Sequence, residues 1–455
     1  MNSNDTICAL ATAPGGALGI IRVSGPKAFE AVSGICSVRC DSVAANTVHY
    51  THIVNIEGNV IDECMMSVFK APHSYTGENS VEISCHGSHY ILNKVIELLI
   101  QNGCRMANPG EYTQRAYLNG KMDLSQAEAV ADLIASSNQA THQLAMSQLR
   151  GGISSELDKL REQLLKLTSL LELELDFSDH EDLEFADRTE LKDLANKINK
   201  QIIHLAHTFE IGQAIKQGIP VAIVGKTNVG KSTLLNALLK DDRAIVSDIH
   251  GTTRDTIEDT IDIQGVTFRF IDTAGIRQTV DKVEQIGIQR TFQAMHKARI
   301  VLWLIDAEPT PEDIQSILEE AKGKSLIIIQ NKIDKQEITI APNSDLHKYT
   351  HIKISAKSGI GLDQLEKAIF EAANIPSITD SDVIITNARH YESLLHAQQN
   401  LSRVLSGLNT SSVSGDLLAE DLRLVLSDLA EITGKGQITT NEVLENIFTH
   451  FCVGK

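Results

Sequence analysis

A glycine-rich turn between a predicted strand and a predicted helix is the first group of residues with evident chemistry. Residues 225–232 read Gly-Lys-Thr-Asn-Val-Gly-Lys-Ser, after an apolar run at 219–224 and before a helical stretch at 233–238. Glycines let backbone N–H groups close on phosphate oxygens, and a helix N-terminus adds the positive end of its dipole. Lys231 would reach the β- and γ-phosphates, and the Ser232 hydroxyl would ligate Mg²⁺. This pattern predicts a phosphate-binding loop rather than a chance glycine turn.

Three further motifs follow strand-like runs. Two of them predict the base that the site binds, and the third predicts contacts to Mg²⁺ and the γ-phosphate. Asn-Lys-Ile-Asp at 331–334 follows an apolar run at 326–329, so it would lie at the carboxyl end of a parallel strand. Asp334 can accept from N1–H and the exocyclic amine of guanine, and a site of this type discriminates by roughly 10⁴–10⁵. Ser-Ala-Lys at 355–357 would give a backbone N–H to guanine O6, and Asp-Thr-Ala-Gly at 272–275 would hold the Mg²⁺ shell and sense the γ-phosphate. Four such motifs in order predict a GTPase domain.

Two features of the predicted switch regions narrow the mechanism. Ile276 stands where Ras-like GTPases carry the glutamine that orients water, a task that an alkyl side chain cannot perform. A Gly-Thr-Thr-Arg-Asp segment at 251–255 lies where a switch loop would bring a threonine hydroxyl to Mg²⁺. Asn228 offers a neutral side-chain oxygen beside the phosphates, and we expect K⁺ there in place of an arginine finger, which is worth about 10³–10⁵ in rate. The alternative is that Asn228 only forms a turn.

Composition limits the classes of protein to which the chain can belong. It has 455 residues, a net charge of −18 and few aromatic residues, which argues against a dedicated nucleic-acid binder with a basic stripe. Seven cysteines without a Cys-x-x-Cys pair favour a reducing compartment over a disulfide framework or a zinc ribbon. Cys85, His86 and His89 could form a metal site, but ordinary packing is the preferred interpretation. With no leader sequence and no run of 18 apolar residues, we expect a cytosolic protein without a membrane span.

Changes of pattern along the chain predict a multi-domain protein of α/β and α+β type. Residues 1–119 alternate short apolar runs with helical stretches, which predicts an α+β domain. Residues 120–217 and 376–455 are helical, and residues 218–375 carry the four nucleotide motifs. The simplest arrangement is a Ras-like P-loop GTPase domain inserted between the two halves of one helical domain.

The first helical part carries two local signals. Ser125 and Glu128 have the spacing of a capping box at a helix start. Leucines recur at helical spacing, which predicts a buried face: Leu157, Leu160, Leu164, Leu167 and Leu171.

Motifs near both ends of the chain resemble a known family. The last residues, 451–455, read Phe-Cys-Val-Gly-Lys, and Asn-Pro-Gly-Glu-Tyr stands at 108–112. Together with the switch Gly-Thr-Thr-Arg at 251–254, they resemble the tRNA uridine-5-carboxymethylaminomethyl modification GTPases, the MnmE (TrmE) family. The resemblance runs essentially from end to end. Related GTPases that assemble ribosomes share the middle domain but lack the N-terminal segment and the terminal cysteine motif.

The resemblance implies an N-terminal folate-binding, aminomethyltransferase-like domain that dimerises. It would hold a 5-formyl- or 5,10-methylene-tetrahydrofolate that supplies the one-carbon unit. Folate contacts carried over by motif fall on Arg22, Glu82, Lys121 and Lys455. Glu82 can accept from the amine face of a pterin, and the lysines can meet the carboxylates of the glutamate tail. Without the resemblance, solvated surface charges would be the simpler interpretation.

Cys452, a lone cysteine on what the sequence suggests is a flexible terminus, is a candidate nucleophile toward the uridine ring or the one-carbon adduct. A structural remnant is the alternative.

In the GTPase site the resemblance implies that Glu284 orients the attacking water indirectly, although by sequence alone it is an exposed switch glutamate. The catalytic candidates are Glu284, Cys452, Lys231 and Arg277.

The resemblance also implies the ligands of both cations and of the nucleotide. The Asn228 side chain and backbone oxygens of Ser247 and Ile249, with Thr252 nearby, would bind K⁺. Ser232 and Thr253 would bind Mg²⁺. The candidate GTP-binding residues are Asn228, Val229, Gly230, Lys231, Ser232, Thr233, Ser247, Asp248, Ile249, His250, Gly251, Thr252, Thr253, Asp272, Thr273, Ala274, Gly275, Asn331, Lys332, Ile333, Asp334, Ser355, Ala356 and Lys357.

The activity implied by the resemblance is that of a homodimeric, K⁺-dependent GTPase acting with an FAD-dependent partner of the MnmG (GidA) family. The pair would add a carboxymethylaminomethyl or aminomethyl group to C5 of tRNA wobble uridine 34, with FAD and NADH used on the partner. GTP hydrolysis would open and close the GTPase domains. The rival is a GTP-gated RNA or ribosome assembly factor without modification chemistry, and tetrahydrofolate binding by residues 1–119 distinguishes the two. The sequence leaves an added stress-regulatory role open.

Overall fold

The chain divides into two compact units that are discontinuous in sequence. The computed structural model describes residues 5–176, 188–240, 259–271, 292–336, 345–375, 382–410, 415–435, 447–449, 451 and 454. The first unit comprises Met1–Ala135, Gln148–Lys200 and Ser393–Lys455, and the second comprises Ser136–Ser147 and Gln201–Glu392.

The first unit begins with a six-stranded sheet in the order β3-β4-β5-β2-β1-β6. Its strands are β1 Thr6–Leu10, β2 Leu18–Ser24, β3 Thr47–Val54, β4 Val60–Phe69, β5 Ser80–His86 and β6 Cys104–Met106. Neighbouring strands are antiparallel except β1 and β6, which are parallel. Burial alternates along β4, as expected for a sheet that packs a core on one face.

Helices cover the core face of this sheet. The helices of the N-terminal region are α1 Ala28–Ser33, α2 His89–Gln101, α3 Glu111–Leu118 and α4 Leu124–Ala135, with a 3₁₀ turn at Cys40–Ser42. In α2 the buried residues are Leu92, Val95, Leu98 and Leu99, the spacing of one helical face. They join β-strand residues in one apolar core. On the opposite face, Tyr112 of α3 packs on Ile7 and Ala9.

Longer helices follow in the rest of the chain. They are α5 Gln139–Leu149, α6 Gly152–Asp176, α7 Arg188–Gln217, α11 Ala388–Thr410 and α12 Gly415–Thr433. The five leucines of α6 that recur at helical spacing are all buried, so that prediction is confirmed. Within the first unit α6 packs against α12, and Arg423 of α12 pairs with Glu172 of α6 at 3.2 Å.

The start of α4 differs from the predicted capping box. The helix begins at Leu124, and Asp123 is the residue that caps it. Asp123 Oδ1 accepts from the backbone N–H of Gln126 at 3.0 Å, while the Asp123 N–H donates to Gln126 Oε1 at 3.0 Å. The predicted Ser125–Glu128 box is wrong because Asp123 and Gln126 satisfy the same spacing two residues earlier.

The second unit contains a six-stranded sheet in the order β12-β11-β10-β7-β9-β8. Its strands are β7 Ile219–Val224, β8 Asp259–Ile263, β9 Val266–Phe270, β10 Ile300–Ile305, β11 Ser325–Gln330 and β12 Thr350–Lys353, and its helices are α8 Lys231–Lys240, α9 Pro311–Glu320 and α10 Leu362–Ala372, with a 3₁₀ turn at Asp345–Lys348. All neighbouring strands are parallel except β8 and β9.

Apolar cores cover both faces of this sheet, as its near-continuous hydrophobic strands require. After β7 the chain adds β9 on one side and then returns to place β10 on the other side. This reversal is a topological switch point, where open parallel sheets bind ligands beyond the carboxyl ends of their strands. The predicted combination of an α+β part, a helical part and an α/β part with a parallel sheet is confirmed. Among the helices that the structure describes, none has the length and apolarity needed to cross a bilayer.

Candidate functional site: a nucleotide site and an N-terminal cluster

The predicted phosphate loop lies at the switch point, between the end of β7 and the start of α8. Two of its glycines are required by close contacts. Gly225 has φ +149°, and a Cβ there would lie 2.5 Å from the Leu304 carbonyl of β10. Gly230 has φ +105°, and a Cβ there would overlap the side-chain amide of Asn331. The loop therefore packs closely against the ends of two neighbouring strands, and a side chain at either glycine would push it away from them.

Lys231, the first residue of α8, points its ammonium group back over the phosphate loop. Nζ donates to the carbonyl oxygens of Gly225 at 2.6 Å and Lys226 at 2.8 Å. Burial lowers the pKa of Lys231, because desolvation disfavours the charged form. Phosphate oxygens would restore that lost solvation, so a bound nucleotide and Lys231 stabilise each other.

Asn331 fastens the base-recognition motifs to the phosphate loop. Its side chain is buried, with Nδ2 donating to the Val229 carbonyl at 2.8 Å. Its Oδ1 accepts from the backbone N–H of Ala356 at 3.0 Å. One amide side chain thus ties together three of the predicted motifs, which are separate segments in the sequence.

Asp334 lies at the exposed edge of the same site. Its Oδ1 accepts from the Ser355 hydroxyl at 2.7 Å, and this hydrogen bond lowers the pKa of Asp334. The carboxylate is therefore ionised and oriented, as acceptance from guanine N1–H and the exocyclic amine requires. The guanine O6 contact predicted for residues 355–357 stays a prediction, since the Ala356 N–H already donates to Asn331.

Several predicted site residues lie outside the described residues. They are the switch residues Ser247, Asp248, Ile249, His250, Gly251, Thr252 and Thr253, the motif Asp272, Thr273, Ala274 and Gly275, and the candidates Arg277, Glu284, Cys452 and Lys455. The described part of the nucleotide site consists of residues 225–233, 331–334 and 355–357.

A second cluster of predicted site residues forms in the N-terminal sheet. Arg22 and Glu82 are direct partners in the register of β2 and β5. Arg22 Nε and Nη2 donate to Glu82 Oε1 at 2.9 and 2.7 Å, so these two charges largely neutralise each other. The Arg22 guanidinium lies 5.5 Å from the ring centres of both Tyr75 and Tyr112. Neither tyrosine was predicted as a site residue, because nothing in its local sequence indicates this contact.

Lys121 is exposed at the rim of the same region. Its Nζ donates to the Pro72 carbonyl at 3.0 Å, and its side chain lies beside Gly77. The segment between these two residues carries Tyr75, whose hydroxyl bonds the Thr113 hydroxyl at 2.9 Å. Arg22, Glu82 and Lys121 therefore border one stretch of surface, with an exposed tyrosine ring between them.

Buried charges hold helix α3 next to the cluster around Arg22. Glu111 and Arg115 are 2% and 7% exposed, and they pair with each other at 3.0 Å. Arg105 pairs with Glu111 at 2.5 Å and with Asp5 at 2.6 Å. Burial alone would raise the pKa of Glu111, but hydrogen bonds from Arg105, Asn108 and Arg115 outweigh it and lower the pKa. This network fixes Tyr112, whose hydroxyl donates to the Arg22 carbonyl at 2.7 Å.

The end of the chain packs against the same N-terminal elements. Phe448 and Phe451 are buried beside Leu124 and above Gly110. Gly454 has φ +96°, lies against the end of β1 and accepts from Arg22 Nη1 at 3.3 Å. The expectation of a flexible terminus is wrong for these residues, because two phenylalanines find an apolar surface. Cys452 itself lies outside the described residues.

Two of the three residues considered for a metal site have other surroundings. Cys85 is buried, and His86 Nδ1 lies 2.7 Å from Asp62 Oδ1. Across the described ranges, no group of three or more His, Cys, Asp or Glu side chains is placed to hold a metal ion.

Comparisons with known proteins agree with this architecture. The model of the MnmE helical domain matches residues 124–452, and the model of the GTP-binding protein TrmE N-terminus matches residues 6–121. The chain is 54% identical over 501 residues to the tRNA modification GTPase MnmE of Phocaeicola vulgatus, covering 100% of both chains. It is 54% identical over 469 residues to that of Bacteroides thetaiotaomicron, again covering 100% of both.

A more distant relative aligns almost as completely. The tRNA modification GTPase MnmE of Cytophaga hutchinsonii is 49% identical over 463 residues, covering 100% of this chain and 98% of that one. Because one family model spans more than half of the sequence and these relatives align over their whole length, the chain belongs to the MnmE (TrmE) family of tRNA modification GTPases.

Proposed function

We propose that this GTP hydrolase is K⁺-dependent and acts with an FAD-dependent partner of the MnmG (GidA) family on wobble uridine 34 of tRNA. The pair adds a carboxymethylaminomethyl or aminomethyl group at C5, with a tetrahydrofolate derivative as the one-carbon source. The observation that carries the proposal is the contact between Arg22 and Gly454. It places Gly454, the glycine of the terminal motif, beside a sheet residue expected to bind folate, which supports a role for the terminal thiol at the one-carbon donor.

The chemistry of the N-terminal cluster around Arg22 fits a reduced folate. Glu82 receives both bonds from Arg22 on Oε1, which leaves Oε2 for the amine face of a pterin. The Tyr75 ring is 38% exposed and offers a flat apolar surface for stacking. The exposed Lys121 ammonium, with Lys455, suits the carboxylates of a glutamate tail. When bound, the folate supplies a carbon at the formyl or methylene oxidation level.

The remaining parts of the proposal follow the domain order. Residues 1–119 form the folate-binding domain and dimerise, residues 218–375 form the GTPase domain, and the helical halves at 120–217 and 376–455 join them. The FAD protein supplies redox chemistry, and tRNA is the shared substrate. Because this chain has a net charge of −18, the partner makes most of the contacts to the tRNA phosphates. The remaining phosphate contacts come from a local basic surface on this chain.

Folate binding to the full-length protein is the test that separates this proposal from a GTP-gated assembly factor. Equilibrium dialysis with 5-formyl-tetrahydrofolate should give binding that Glu82→Gln weakens at least about tenfold, since a hydrogen bond to a charged group is lost. Glu63→Gln is the matched control, because Glu63 is an exposed glutamate of the same sheet. No binding by the wild type, or equal binding by Glu82→Gln, would favour solvated surface charges at these positions.

The K⁺ proposal depends on Asn228. Its φ of +61° lies in the left-handed region, and the side chain is exposed at the tip of the phosphate loop. A neutral amide oxygen in that position suits a weakly charged cation. GTP turnover should be faster in K⁺ than in Na⁺ at matched ionic strength, by about 10³–10⁵ if the cation fully replaces an arginine finger. Equal rates would contradict it.

Glu284 is proposed to orient the attacking water, because Ile276 cannot. Glu284→Ala should slow GTP hydrolysis while GTP affinity is retained. A loss of nucleotide binding in this variant would instead assign Glu284 a structural role.

A further inference from the structure

The turn after β10 and the first turn of α9 each carry one carboxylate that contacts a lysine beside the phosphate loop. β10 ends at Ile305, so Asp306 is the first residue beyond the strand, at the switch point of the sheet. At the start of α9, Thr310 and Asp313 form a reciprocal capping box, with Pro311 at the first helical position. The capping box fixes the position of Asp313.

Asp306 binds the lysine of the guanine motif. Lys332 Nζ lies 2.7 Å from Asp306 Oδ2 and donates to the backbone carbonyl of Asn228 at 2.7 Å. Both side chains of the ion pair are 34% exposed. Asn228 and Lys332 each have a left-handed backbone, with φ of +61° and +62°. Such residues persist only when their surroundings fix them, and this chain of contacts does so.

Asp313 binds the phosphate loop on its other side. Its Oδ2 lies 2.8 Å from Lys226 Nζ, and the same oxygen accepts from the Thr310 hydroxyl at 2.7 Å. The hydrogen bond from Lys226 lowers the pKa of Asp313, so the carboxylate is charged at neutral pH. Lys226 is 67% exposed, which makes this pair the weaker of the two.

We propose that Asp306 and Asp313 are positioning residues for guanine-nucleotide binding, acting through Lys332 and Lys226. They hold the phosphate loop from two sides in the shape that receives phosphates. The loop then loses less conformational entropy when nucleotide binds, which slows nucleotide release. Asp306 is the more important of the two, because its lysine is less exposed and also holds the Asn228 carbonyl. This inference uses the GTPase activity alone and does not depend on folate or K⁺.

The test compares nucleotide release in the full-length protein and in Asp306→Asn. Asparagine keeps the size and one acceptor oxygen, so it removes the charge with little change in packing. Stopped-flow release of a fluorescent GDP analogue should be about tenfold faster, the cost of one charge-assisted bond. Asp313→Asn should accelerate release less. Asp345→Asn is the control, because Asp345 forms a 2.7 Å ion pair with Lys348 on the same unit but away from the loop.

Two readouts separate positioning from a merely structural role. Raising the salt concentration should narrow the difference between wild type and Asp306→Asn, since the pair is partly exposed and screened. In a double-mutant cycle with Lys332→Met, the second change should add little to the first. GDP release within twofold of wild type in Asp306→Asn, or full additivity with Lys332→Met, would overturn the proposal. A melting temperature lowered in Asp306→Asn without faster release would do so as well.

Discussion

Replacing Asn331 by alanine should weaken guanine-nucleotide binding far more than its single side chain suggests. The substitution removes the bonds that Asn331 makes to the Val229 carbonyl and to the Ala356 N–H. Each buried group left without a partner costs about 1–3 kcal/mol. Together they cost about 2–6 kcal/mol, and a water entering the vacated space recovers part of this, which leaves about 2–4 kcal/mol.

We expect most of this cost to fall on the nucleotide-bound state, because the phosphate loop and the base segment must hold their positions most strictly there. We expect GDP to bind about 30- to 1000-fold more weakly to Asn331→Ala than to the wild type. Titration with a fluorescent GDP analogue measures this directly, and Asn236→Ala, an exposed site on α8, is the matched control. An Asn331→Ala affinity within threefold of wild type, with unchanged melting temperature, would refute the view that Asn331 joins the motifs.

Three further predictions concern other parts of the chain. Gly225→Ala should lower both the melting temperature and the GDP affinity, because its Cβ would meet the Leu304 carbonyl. The control Gly323→Ala, at φ +81° with open space around it, should affect GDP binding little. Equal effects of the two substitutions on GDP binding would contradict the close contact at Gly225. Glu111 has a folded pKa below its ordinary value of 4.5, so its stabilisation is complete above about pH 4.5 and is lost as pH falls through the lower folded pKa. Glu111→Gln should therefore be less stable at pH 7 and show a smaller loss on acidification by circular dichroism; an unchanged acid transition would count against it. Tyr112→Phe should lower stability by about 1 kcal/mol through loss of its bond to the Arg22 carbonyl, and thermal unfolding identical to wild type would argue against that bond.

Local patterns predicted the elements of the nucleotide site well. Apolar runs gave β7 and β11 because a parallel strand buried on both faces is hydrophobic along its length. The glycine turn and the Asn-Lys-Ile-Asp motif then marked the carboxyl ends of those strands. What the pattern could not reveal was the contact between Asn331 and Val229, because pairing across strands depends on the order of the sheet rather than on spacing along the chain.

The N-terminal cluster around Arg22 was predicted less completely. Arg22 and Glu82 were named as separate folate contacts, but the register of β2 and β5 makes them partners. The contacts of Tyr75 and Tyr112 with Arg22 were not predicted, because each ring reaches Arg22 from a segment that is distant in sequence. The packed chain end was missed for the same reason: Phe451 finds its partners near Gly110 and Leu124, far away in sequence.

Mass spectrometry of nucleosides from bulk tRNA shows whether the chain takes part in the modification of uridine 34. Cells lacking this gene are compared with the same cells carrying the wild-type gene or Cys452→Ser. C5-substituted wobble uridines should vanish in the deletion, return with the wild type and stay absent with Cys452→Ser. If these nucleosides persist unchanged in the deletion, the chain does not modify uridine 34, and the assembly-factor interpretation takes its place.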